Sequence, residues 1–214
     1  MSSRSIIESL DAIIKKHKPD TIMTIGDRCL FLRLVPPTSL GLGIDPWPIV
    51  KINELPPNLK VFPVTSDYFF HSPYMVHDLS VDFVLITGYR KFEQLLRDIV
   101  FSEKLCKPTA RIVIHGTVPL SKEEASRDDV PNTERRVGDV FKCIEALKKY
   151  RPDLRITTLT DVGAGLTIID HLDESNHTVQ NSMVKVVADF INQPWDQRDT
   201  STDTTFEEYM KSHD

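Results

Sequence analysis

Val81-Asp82-Phe83-Val84-Leu85-Ile86-Thr87-Gly88-Tyr89-Arg90 is the stretch that decides the architecture. Residues 81–87 are almost continuously apolar, the pattern of a parallel strand covered on both faces rather than of a half-exposed strand that alternates. Immediately after it, Phe92, Leu95, Leu96, Ile99 and Val100 recur at helical spacing over residues 91–105. A buried strand followed by an amphipathic helix is one unit of an α/β fold.

Working outward, the same alternation recurs. Toward the N-terminus, Ile6, Ile7, Leu10, Ile13 and Ile14 form the apolar stripe of a first helix. Short β-branched or aliphatic runs at 21–25, 40–44 and 59–64 read as strands, with two helical turns at 29–35 stopped by Pro36-Pro37. Toward the C-terminus, strands are expected at 110–115, 155–159 and 165–169. Helices are expected around Val140, Ile144, Ala146 and Leu147, and over 184–191. The prediction is an α/β, Rossmann-like, doubly wound sheet of seven strands. Residues 1–192 form the domain, and 193–214 form a polar, loosely attached tail with a short helix at 206–210.

Composition narrows the function. The chain has 214 residues, 27% charged and 40% hydrophobic, with a net charge of -5. That size suits one domain, and that charge offers no general attraction to nucleic acid. No apolar run approaches the ~20 residues that span a bilayer, and Met1-Ser2-Ser3-Arg4 leads into an amphipathic stretch rather than a signal-peptide core. A cytoplasmic protein with no membrane partner is expected. Cys29, Cys106 and Cys143 are odd in number and lack zinc-ligand spacing, so they read as reduced structural thiols.

In such a sheet ligands lie beyond the carboxyl ends of the strands. Those ends carry Gly26-Asp27-Arg28, Asp45-Pro46-Trp47, Ser66-Asp67, Thr87-Gly88-Tyr89-Arg90 and His115-Gly116-Thr117. Asp45 falls about 20 residues after the first glycine, where a strand-end acid accepts hydrogen bonds from a ribose diol.

Taken together, several stretches resemble the class I S-adenosylmethionine-dependent methyltransferases of the polysaccharide and capsule biosynthesis type. They are Asp45-Pro46-Trp47-Pro48, Thr65-Ser66-Asp67-Tyr68-Phe69-Phe70, residues 82–90 and residues 112–119. Gly138-Asp139-Val140, Tyr150-Arg151-Pro152-Asp153-Leu154 and Gly165-Leu166 extend the series, so it runs from about Thr21 to Ile169. The resemblance implies S-adenosylmethionine (SAM) as cofactor, held by Gly26, Asp27, Asp45, Pro46, Ser66, Asp67, Thr87 and Gly88. It also implies a small-molecule or sugar substrate, and leaves a homo-oligomer open.

The chain departs from that family in two places. Thr24 stands where an acid ends the first strand, and Gly26 is the single glycine of a loop that usually has more. Thr87 and Gly116 stand where metal-dependent relatives place carboxylates, so no metal is expected. His115 is then the candidate base, against a role bonding backbone at a strand end. Arg90 is the candidate for orienting substrate, against an ion pair with Glu93. Two functions follow: O-methylation of a sugar or small hydroxylated metabolite without a metal, or a non-catalytic methyltransferase-like domain whose first loop fills the cofactor cleft. A nicotinamide oxidoreductase needs a Gly-x-Gly-x-x-Gly turn, which Gly26-Asp27-Arg28 does not supply.

Overall fold

A computed structural model describes residues 4–128 and 137–212. Eight strands form one sheet in the order β3-β2-β1-β4-β5-β7-β6-β8. They are β1 (Thr21–Ile25), β2 (Leu40–Ile44), β3 (Leu59–Phe62), β4 (Val81–Ile86), β5 (Cys106–His115), β6 (Arg155–Leu159), β7 (Leu166–Asp170) and β8 (Asp203–Thr204). The first five are parallel. β7 inserts antiparallel between β5 and β6, and β8 runs parallel to β6 at the edge.

The helices are α1 (Ile6–His17), α2 (Ser66–His71), α3 (Pro73–Val76), α4 (Phe92–Glu103), α5 (Phe141–Tyr150), α6 (Thr178–Asn181), α7 (Met183–Phe190) and α8 (Phe206–Ser212). One core joins the sheet to α2, α4, α5, α6 and α7, and a second joins its other face to α1, α8 and Phe31. The reason for the apolar run at 81–87 is visible here. Phe83 and Leu85 enter the α1 side while Val81, Val84 and Ile86 enter the α4 side, so residues 83–86 alternate between two hydrophobic destinations.

Three expectations need correction. The sheet has eight strands rather than seven, the eighth being the two-residue β8, too short and polar to read as a strand. β5 begins at Cys106 rather than at residue 110, because an irregular register between Val81 and Phe83 accommodates Pro108 inside the strand. The segment after residue 192 is firmly attached. Phe206 and Tyr209 are 4% and 1% exposed against Leu10, Ile13 and Ile14 of α1. Tyr209 also lies 3.0 Å from the His17 Nε2 through its hydroxyl, and the Arg4 guanidinium sits 4.2 Å from the Phe206 ring centre. Two apolar side chains in a polar run were enough to dock it.

Candidate functional site at the carboxyl ends of the strands

The chain runs outward from β1 to β3 and then returns to the far side of β1 as β4. The strand order therefore reverses between β1 and β4, which is where a doubly wound sheet opens its crevice. Here the two strand ends meet closely. The Gly26 N–H donates to the Ile44 carbonyl at 2.9 Å, and the Thr87 N–H donates to the Ile25 carbonyl at 2.9 Å. A Cβ at Gly26 would fall 2.1 Å from the Gly88 Cα, so the loops after β1 and β4 rest directly on one another.

Beyond Gly26 the backbone turns left-handed at Asp27, Arg28 and Cys29, with φ of 50°, 54° and 64°. Each such non-glycine residue costs roughly 1–2 kcal/mol relative to the right-handed region. What holds them is the β2 end. The Asp45 carboxylate accepts the Arg28 N–H on Oδ2 and the Trp47 N–H on Oδ1, both at 2.8 Å. The Ile49 N–H donates to the Arg28 carbonyl at 3.1 Å. Asp45 is 8% exposed. Its neighbour Trp47 is 77% exposed.

Burial raises the Asp27 carboxyl above the usual range, with the Arg90 and Arg33 guanidiniums opposing it. Burial likewise pushes the Cys29 thiol up to about 12, reinforced by the charges of Asp45 and Asp27, so it is a protonated thiol at neutral pH. All three cysteines are buried free thiols.

His115 ends β5, and Arg90, in the segment between β4 and α4, reaches toward that end with its guanidinium. The Arg90 Nη1 lies 3.9 Å from where a Cβ on Gly116 would be. The His115 Nε2 lies 3.1 Å from where a Cβ on Gly163 would be, beside Ile6 at the start of α1. Glu93 is taken by another partner: the Arg127 guanidinium donates to both of its carboxylate oxygens at 2.9 and 3.0 Å. Arg127 also pairs with buried Asp139, whose other oxygen accepts the Phe92 N–H at 2.9 Å at the start of α4. Arg127 thereby ties the polar segment after β5 to the α4 N-terminus. Of that segment's other charged residues, Asp129, Glu134, Arg135 and Arg136 lie outside the described residues.

Ser66 and Asp67 point into the α2–α4 interface. The Arg97 guanidinium donates to Asp67 at 3.2 and 3.4 Å, and the Gln94 amide donates to Ser66, Asp67 and Asp98. Thr65 caps α2 by accepting the Tyr68 N–H. Burial raises the Asp98 carboxyl to about 6, and the nearby Asp67 charge adds to that, against hydrogen bonds from Ser66 and Gln94 and the charge of Arg97. Because the folded value exceeds the ordinary value of about 4, the folded state binds the extra proton between them. Stability should therefore fall as pH rises from about 4 to about 6 and level off above. Asp98→Asn should remove that slope and raise the thermal midpoint at pH above 7. Melting curves across pH that keep the same slope in the variant would refute the assignment.

Thus the structure brings Gly26, Asp27, Asp45, Pro46, Thr87, Gly88 and Arg90 together around the β1–β4 crossing. It sets Ser66 and Asp67 against α4 and His115 against the N-terminal end of α1. Arg28, Gln94, Arg97 and Arg127 organise these groups and had no sequence signal, since their partners lie 17 to 34 residues away or in the next helix turn. Among the described residues no group of three or more His, Cys, Asp or Glu side chains could hold a metal ion. None of the described helices is long and apolar enough to cross a membrane.

Solved structures share this fold. The O-methyltransferase TomG from Streptomyces achromogenes, involved in tomaymycin synthesis and solved in complex with SAM, superposes with a TM-score of 0.58 at 16% identity, over 78% of this chain and 79% of that one. The fold is that of the class I methyltransferases. The SAH-bound methyltransferase PaMTH1 from Podospora anserina gives 0.58 at 13% identity, over 78% of each chain. An O-methyltransferase from Bacillus cereus in complex with SAH gives 0.56 at 14%, over 76% of this chain and 79% of that one. No protein-family model matches the chain, and no curated protein does. At these identities the likeness is one of fold.

Proposed function

We propose that the protein is a SAM-dependent O-methyltransferase acting without a bound metal on a sugar or other small hydroxylated metabolite. The observation that carries this reading is Asp45, an acid at the end of β2 facing the loop after β1 in a sheet of class I methyltransferase order. Its chemistry fits the ribose of SAM: a carboxylate has about four acceptor positions, and a vicinal diol offers two donors. The neighbours solved with SAM or SAH support the same cofactor.

When bound, SAM supplies an electrophilic methyl carbon on a sulfonium. The work left to the chain is to align the acceptor and remove one proton. Arg90, beside Gly116, orients an acceptor through its planar fork, favouring an anionic or polyhydroxylated one. His115 is the proton acceptor in this reading. The polysaccharide and capsule type of acceptor, a cytoplasmic location and a homo-oligomer belong to the same proposal.

A non-catalytic binding role is the second reading, favoured by the contact of Gly26 on Gly88 and by the two backbone donors already on Asp45. Calorimetry separates the two. Titration of SAM and S-adenosylhomocysteine (SAH) is expected to give a saturable heat. A folded protein that gives none at millimolar ligand would remove the enzymatic reading.

A further inference from the structure

We infer that Arg28 is an internal latch on the ribose-binding carboxylate: its amide occupies Asp45, and the loop has to release it before a nucleoside diol can bind. This rests on the methyltransferase reading above and adds a conformational step to it. Three facts converge on this one residue. Its N–H donates to Asp45 Oδ2 at 2.8 Å, its carbonyl accepts the Ile49 N–H at 3.1 Å, and its Nε lies 3.5 Å from the Trp47 carbonyl. Arg28 thus stitches the loop after β1 to the loop after β2, while its side chain stays exposed.

Asp45 is 8% exposed, so two hydroxyls cannot reach it while the Arg28 amide and the chain that carries it lie across it. The closed loop is also conformationally costly, with three successive left-handed residues of which none is glycine. A closed state held at Arg28 by one carboxylate and one backbone hydrogen bond, against the preference of its own backbone, is poised to exchange the carboxylate's hydrogen bond for an incoming donor. Affinity for the diol is then reduced by the fraction of molecules in which the latch is shut.

Two substitutions at this exposed position push the latch in opposite directions. Glycine adopts φ near 54° freely and keeps the N–H, so Arg28→Gly should favour the closed loop. Proline fixes φ near -65° and has no N–H, so Arg28→Pro should open it. SAH titration calorimetry is expected to show binding weakened about fivefold in Arg28→Gly, with a raised thermal midpoint. In Arg28→Pro it should show binding tightened by a similar factor, with a lowered midpoint. Should Arg28→Pro fail to fold, Arg28→Val disfavours the left-handed conformation while keeping the donor, and should also tighten binding.

Equal SAH affinity in wild type and both variants, or the reverse order, overturns the latch and leaves the methyltransferase reading standing. No SAH binding by any of the folded proteins overturns both.

Discussion

Gly26→Ala is expected to destabilise the protein by about 3 kcal/mol or more and to abolish SAH binding, whereas Gly88→Ala should change stability by less than about 1 kcal/mol. The two glycines touch, yet their tolerances differ because the contact is asymmetric. A Cβ on Gly26 would meet the Gly88 Cα at 2.1 Å and the Gly88 nitrogen at 2.5 Å, both backbone atoms that cannot swing aside. Gly26 also holds φ 87° and ψ -160°, a region open essentially to glycine alone. A Cβ on Gly88 meets its nearest atoms, the Gly26 Cα and the Ile25 carbonyl oxygen, at 3.5 Å, an ordinary contact. Urea unfolding of the two variants gives the comparison directly. Equal losses would mean that the β1 and β4 loops do not rest on each other in this way.

Arg151→Ala should cost about 3–5 kcal/mol, through the charge it leaves behind rather than the contact it removes. Arg151 caps the end of α5, where its buried guanidinium donates to both oxygens of Glu103 at 2.7 and 2.9 Å and also reaches Asp153. Glu103 closes α4 and also accepts the Asp173 N–H at 3.0 Å. These partners hold the Arg151 guanidinium well above its usual range against the opposing effect of burial. Without Arg151, Glu103 is an unpaired carboxylate inside the protein. The double variant Arg151→Met with Glu103→Leu removes both charges and should recover most of the loss. If the single and double variants unfold at the same denaturant concentration, the stranded-charge argument is wrong.

How much of this was legible beforehand depended on the range of the interaction involved. Apolar runs such as 81–87 and the stripe of α1 report burial on a known face, so the strands of the central sheet and the main helices could be placed from them. β8 could not: Asp203-Thr204 has no apolar signal, and its position is set by pairing with β6 beside the docked Phe206 and Tyr209. The strand-end residues were also found from spacing, because a doubly wound sheet delivers every strand end to one rim. Their partners were not. Whether Asp67 faces a ligand or Arg97, whether Glu93 pairs with Arg90 or Arg127, and whether Asp45 is open or covered by Arg28 each depend on side-chain direction. Spacing along the chain carries little of that information. Thr24 and the glycine-poor first loop did signal that this region is unusual, and three left-handed residues stand there.

The docking of α8 onto α1 also sets an order of events during synthesis. Leu10, Ile13 and Ile14 are made well before part of what covers them, Phe206 and Tyr209. Until some two hundred residues have followed, the nascent chain must carry that part of the α1 stripe exposed or shielded by other factors. Ribosome-bound chains stalled before residue 206 should therefore recruit chaperones at α1, and chains with an added C-terminal linker that lets residue 212 clear the ribosome should release them.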